Sequence, residues 1–208
     1  MSRRHLSVLL YSAFGVCAVL FLLHGVRLKK EWLNDVSLAV GIALFGAGLF
    51  ERALWKWRPL GKLLQAIPNV SGTWKGTIQS SWTDPKMGRT LPLIETYFSI
   101  HQTAYSFKLK TMTREGAAET IGSEVVKTRH GEHRITGVYV NEPKIFVRKR
   151  SPIHYGAILL AISENAKELR GTYWTDRSTA GEMVLRHKVN KDFPDFMAAK
   201  EAFDKMGL

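Results

Sequence analysis

Hydrophobic and polar positions divide this chain into two regimes. Leu6 to Val26 contains no charged residue, and Val36 to Phe50 contains none either. A helix needs about 20 apolar residues to cross the roughly 30 Å hydrocarbon core of a bilayer. The first run meets that length outright, whereas the second meets it only if flanks between Trp32 and Trp57 contribute. The pattern predicts a two-helix transmembrane hairpin over residues 1–58 and a linker over 59–71. A cleavable signal peptide is the competing reading of the first run. Its length, the lack of an A-x-A-like site and the second apolar run weigh against it.

From Gly72 the period changes. Short segments rich in Val, Ile, Thr, Tyr, Phe and Trp alternate with turn residues, the signature of strands. They fall at Gly72–Trp82, Leu93–His101, Tyr105–Thr113, Glu119–Arg129, His133–Val140, His154–Ser163, Glu168–Asp176 and Gly181–Val189. Arg114-Glu115-Gly116 and His130-Gly131-Glu132 read as hairpin turns, and Asn141-Glu142-Pro143 opens a longer basic connection. No long amphipathic helix lies between the strands, so parallel crossovers are disfavoured. The expected fold of residues 72–191 is all-β: an eight-stranded antiparallel up-and-down β-barrel of lipocalin-like form, with a sandwich as the other arrangement. Such a barrel holds side chains or one small ligand. Pro194 to Met206, within a terminal segment 192–208, fits a short C-terminal helix with Phe196, Ala199 and Phe203 on one face.

Charge adds orientation and partners. The chain has 208 residues and a net charge of +12, and from Pro59 onward 22 basic residues face 15 acidic ones. That balance favours anionic partners: nucleotides, nucleic acid or lipid headgroups. Arg3, Arg4, Arg52, Lys56, Arg58 and Lys62 outnumber Arg27, Lys29 and Lys30 of the connector. A hairpin so flanked would keep both ends in the cytoplasm, as a multi-pass protein of the membrane. The lone Cys17 excludes an internal disulfide and a cysteine-based metal site. Ala39, Ala43 and Ala47 recur at four-residue spacing, which lets helix backbones approach closely, within one hairpin or between protomers.

Candidate chemistry is sparse. Five histidines follow Gly72 (His101, His130, His133, His154 and His187), but no carboxylate cluster beside them suggests a metal. There is no phosphate-binding glycine loop and no nucleophile elbow. Ser151 and His154 lack a visible third member, so an enzyme is the least favoured reading. Two segments combine aromatic and polar groups: Ser151-Pro152-Ile153-His154-Tyr155-Gly156, and the run from Gly171 to Gly181. A nucleotide pocket needs rings for stacking, hydroxyls for base edges and cations for phosphates. Tyr173, Thr175, Arg177 and Thr179 supply that set, and Ser151, His154 and Trp74 are placed at the same barrel mouth. The plainer alternative is that Trp74 and Tyr173 are core and that Asp176 to Thr179 forms a turn.

Taken together, the apolar pair of runs, Pro68-Asn69-Val70-Ser71-Gly72-Thr73-Trp74-Lys75-Gly76 and Leu169-Arg170-Gly171-Thr172-Tyr173-Trp174-Thr175-Asp176-Arg177 resemble the two-transmembrane, β-strand-rich (SMODS-associated) effectors of bacterial CBASS anti-phage systems. The resemblance implies a barrel that binds a cyclic dinucleotide made on infection and a homo-oligomer on activation. It further implies a place in the bacterial inner membrane, disruption of that lipid bilayer, and death of the infected cell. No enzyme activity, no cofactor, no metal and no nucleic-acid polymer as partner are expected. Ala39, Ala43 and Ala47 are then candidate oligomerisation residues. A membrane-tethered carrier of a lipid or other apolar ligand is the alternative, and a structural adaptor without a ligand is a third.

Overall fold

The structure, a computed structural model, describes residues 15, 32–53, 55, 67–83, 88–104 and 106–208. The chain divides into two units, Met1–Ala66 with Thr103–Tyr105, and Ile67–Gln102 with Ser106–Leu208.

In the first unit the described element is helix α1, Trp32–Arg52. Among the described residues no helix is long and apolar enough to cross a membrane. This overturns the expected transmembrane hairpin and, with it, the multi-pass placement in the inner membrane. The physical reason is length. The uncharged run Val36–Phe50 spans about 22 Å at 1.5 Å per residue, short of the roughly 30 Å core. Asn34 and Asp35 before it, and Glu51 and Arg52 after it, do not extend it. The first predicted span, Leu6–Val26, lies outside the described residues apart from Gly15. Ala43 is buried and Ala47 half-buried, while the side chain of Ala39 lies outside the described residues.

The second unit is the barrel. Its strands are β1 (Gly72–Ser80), β2 (Ile94–Gln102), β3 (Phe107–Thr113), β4 (Gly116–Lys127), β5 (His133–Pro143), β6 (His154–Ile162), β7 (Leu169–Thr175) and β8 (Ala180–Val189). Each pairs antiparallel with the next, and β1 closes on β8 in a ladder from Thr73↔Val189 to Ser80↔Gly181. All edges are thereby paired, as the eight alternating segments predict. A register shift between Lys75 and Gly76 in the closing ladder, and another between Thr120 and Gly122 in the β4–β5 ladder, mark irregularities that bend and twist the strands. Strand β5 runs three residues further than expected. Gly116 lies opposite Pro143 so closely that a Cβ there would meet the proline Cα at 2.8 Å. Pro143 is the last strand residue, where its missing N–H costs no ladder bond.

The inward positions are bulky at one end and small at the other. Trp74, Phe98, Ile100, Ile135, Leu160, Leu169 and Leu185 form a fully buried plug. The segment before β1 seals this end. Trp74 Nε1 donates to Val70 O at 2.8 Å, Val70 N donates to Gln102 Oε1 at 2.9 Å, and Gln102 Nε2 donates to Pro68 O at 3.1 Å. Towards the other end the inward set contains Ser80, Thr111 and Ala118, which leave space, while Gly156 and Gly181 make room for tyrosine rings.

Helix α2, Phe196–Lys205, packs outside the barrel within the same unit. Asp195 caps it by accepting from Ala198 N at 2.9 Å. Phe196, Ala199 and Phe203, the predicted apolar face, bury against Tyr97, Met112 and Phe193. The Tyr97 and Phe203 rings lie 5.2 Å apart.

Candidate ligand-binding site

Antiparallel hairpins place alternate connections at one end of a barrel. The β1–β2, β3–β4, β5–β6 and β7–β8 connections therefore surround one mouth, and a cavity of about 200 Å³ opens there. Ser151, His154, Tyr173, Thr175, Arg177 and Thr179 all line it. Trp74 does not. It is fully buried in the plug, six residues before Ser80 and about 20 Å along the strand from the mouth.

Two tyrosines wall the cavity, and each depends on a glycine. Tyr139 lies opposite Gly156 and Tyr173 opposite Gly181. A Cβ on Gly156 would meet the Tyr139 ring at 2.4 Å, and one on Gly181 would meet the Tyr173 ring at 2.4 Å. Tyr173 hydroxyl donates to Ser80 Oγ at 2.9 Å, which fixes its ring. Burial, with smaller contributions from Tyr173 and Asp176, pushes the Tyr139 phenol well above its usual value, so it stays protonated and able to donate.

The rim is cationic and cross-linked. Arg177 Nη1 donates to Ser151 Oγ at 2.8 Å and its Nη2 donates to Arg150 O at 3.0 Å. Arg150 Nη2 in turn meets the Glu115 carboxylate of the β3–β4 turn. His154 Nδ1 sits 2.8 Å from Pro152 O, a carbonyl that can only accept, so Nδ1 carries the proton. Nε2 then accepts from Asn141 Nδ2 at 3.4 Å. Neither ring nitrogen bonds Ser151, so these two residues do not form a nucleophile–base pair in this arrangement. Thr175 and Thr179 meet hydroxyl to hydroxyl at 2.7 Å and brace the β7–β8 turn.

Residues 65–187 match the family described as Cap15, cyclic dinucleotide receptor domain. This chain belongs to that family. The matched span of the Cap15 receptor domain contains the whole lining of the mouth cavity, whereas α2 lies beyond it. The chain is also similar to CD-NTase-associated protein 15 of Staphylococcus schleiferi, with 26% identity over 155 residues, 74% of this chain and 80% of the relative. Among solved structures it is similar to a redesigned β-barrel at 10% identity and a TM-score of 0.40, over 58% of this chain and 92% of that one. The resemblance to CBASS effectors drawn from the sequence therefore holds, while no helix among the described residues supports its two-transmembrane detail.

Sequence reasoning missed Ser80, Glu115, Tyr139, Asn141 and Arg150 in this Cap15 cavity. A signal for two of them was present. Inward positions alternate, so His154, Gly156 and Ile158 on β6 imply partners two apart on β5, which are Tyr139 and Asn141. Glu115 and Arg150 lie in connections, where periodicity carries no information.

Proposed function

We propose that this protein senses a cyclic dinucleotide at the barrel mouth and relays occupancy by self-association, as an anti-phage effector whose activation ends in death of the infected cell. The observation that carries the reading is the pair of guanidinium groups at the rim. Arg150 and Arg177 are joined through the Arg150 carbonyl, and each is held by acceptors that a phosphate oxygen can replace. A cyclic dinucleotide brings two phosphates and two bases. The rings of Tyr139 and Tyr173 and the carboxamide of Asn141 offer stacking and edge contacts to a base. The role is binding rather than catalysis. Self-association follows from ligand only if the assembled state binds ligand better.

The test is thermal unfolding of the full chain against a panel of cyclic dinucleotides. A ligand that binds only the folded state at 100 times its dissociation constant adds about 2.7 kcal/mol. One member of the panel is expected to give a shift of that order. Arg177→Ala is expected to weaken it by about 10- to 100-fold, the size of a lost charge-assisted contact. A carrier of an apolar ligand would tolerate that substitution. No shift with any cyclic dinucleotide, or full affinity in Arg177→Ala, overturns the reading.

A further inference from the structure

We propose that one cyclic dinucleotide is shared by two copies of this chain, half in each barrel mouth, with the exposed Ile145–Phe146 turn forming the contact between copies. This inference rests on the cyclic-dinucleotide reading above and adds how occupancy becomes assembly.

The first argument is size. Pockets that bury most of a drug-sized ligand run about 300–1,000 Å³. The mouth cavity is about 200 Å³, and Phe98, Ile158 and Met183 close its floor. A cyclic dinucleotide is larger than a typical drug, so the cavity covers about one nucleotide and the other stands outside. The ligand is a ring of two nucleotides. Its outer half repeats the chemistry of its inner half, and a second mouth of the same kind can take it. Such a contact is isologous and closes at two copies.

The second argument is the rim. Ile145 is 81% exposed and Phe146 78% exposed, side by side at the mouth. They do not sit on a loose loop. Val147 beside them is buried, Arg148 Nε donates to Pro143 O at 2.9 Å, and Lys144 N donates to Glu115 O at 2.8 Å. A pinned turn that holds two large apolar side chains in water is characteristic of a contact surface.

The third argument is charge, which names the occupant and explains why it needs the ligand. Arg114, Lys144, Arg148, Lys149 and Arg150 are exposed around this mouth and outweigh Glu115, Glu142 and Asp176. Two such mouths repel each other when empty. A ligand with two phosphates, placed between them, supplies the missing negative charge to both.

The experiment titrates the full chain with cyclic di-AMP, cyclic di-GMP and mixed cyclic dinucleotides, reading stoichiometry by calorimetry and mass by sedimentation. The expected result is one ligand per two chains and a doubled mass on binding. The double variant Ile145→Asp/Phe146→Asp is expected to keep the unliganded melting temperature, stay a single chain with ligand, and lose at least about tenfold in apparent affinity. In a Cys17→Ser background, Phe146→Cys is expected to cross-link chain to chain with a short bis-maleimide only when ligand is bound. One ligand per chain in a single-chain complex, or doubling retained by the Asp/Asp variant, overturns this inference and leaves the sensor reading standing. Absence of binding by every cyclic dinucleotide overturns both.

Discussion

Ser178 shows how a single residue sets the mouth. Its φ is +56°, a left-handed conformation that costs a non-glycine residue roughly 1–2 kcal/mol. The β7–β8 turn holds it there through Ser178 N to Thr175 O at 3.2 Å and Thr175 N to Thr179 O at 2.9 Å. Ser178→Gly is therefore expected to stabilise the chain by about 0.5–1 kcal/mol. A urea midpoint that fails to rise would show that the strain is already relieved. His133 carries a different prediction. Burial, aided by the Lys127 charge, holds its imidazole below the usual 6.5. The unfolded chain therefore takes up the proton first. The stability His133 contributes is complete above about pH 6.5 and is lost as pH falls through its folded-state value. His133→Gln is expected to flatten the decline in stability between about pH 7.5 and pH 5.5. Equal acid slopes in the two proteins would remove His133 as its source.

Among elements, β6 and β5 have the most exacting relation. Tyr139 can lie along the cavity wall only because Gly156 opposite it has no side chain. Gly156→Ala forces the ring away, an overpacking that costs about 1–3 kcal/mol. The displaced ring also intrudes on the cavity, so ligand affinity is expected to fall together with stability. Unchanged affinity at a lowered melting temperature would exclude the Tyr139 ring from the ligand contact. Helix α2 illustrates the opposite case, an element legible from sequence. Pro194 ahead of it, the cap at Asp195 and the Phe196, Ala199, Phe203 stripe are all local, and the helix forms where they put it.

At the scale of the whole molecule, the barrel is divided between holding itself together and holding a ligand. The plug around Trp74 and the cavity around Tyr173 and Arg177 occupy opposite ends of one interior. Stability and binding are therefore separable. Trp74→Ala is expected to cost about 3–5 kcal/mol by emptying the plug. The fraction that remains folded should keep its affinity for a cyclic dinucleotide, in contrast to Arg177→Ala, which should keep its stability and lose affinity. A parallel loss of affinity in Trp74→Ala, measured below its unfolding transition, would return Trp74 to the site.

The sequence by itself determined the elements of this protein. The eight strands appear within about three residues of where alternation and turn residues put them, because pleat and turn chemistry are local. Ser151, His154, Tyr173, Thr175, Arg177 and Thr179 were legible as a polar and aromatic group for the same reason: they fall in two short segments. Tertiary structure decided what alternation cannot express. Trp74 and Tyr173 both point inward from strands of the same pattern, yet one is plug and the other wall, because closure of β1 on β8 sets their heights in the barrel. Arg150 meets Glu115 only because two connections distant in sequence share one mouth. The shortfall of Val36–Phe50, by contrast, could already be counted in the sequence. Apolar content marked it as a span, but a helix crosses a bilayer by length, and its uncharged run stops short.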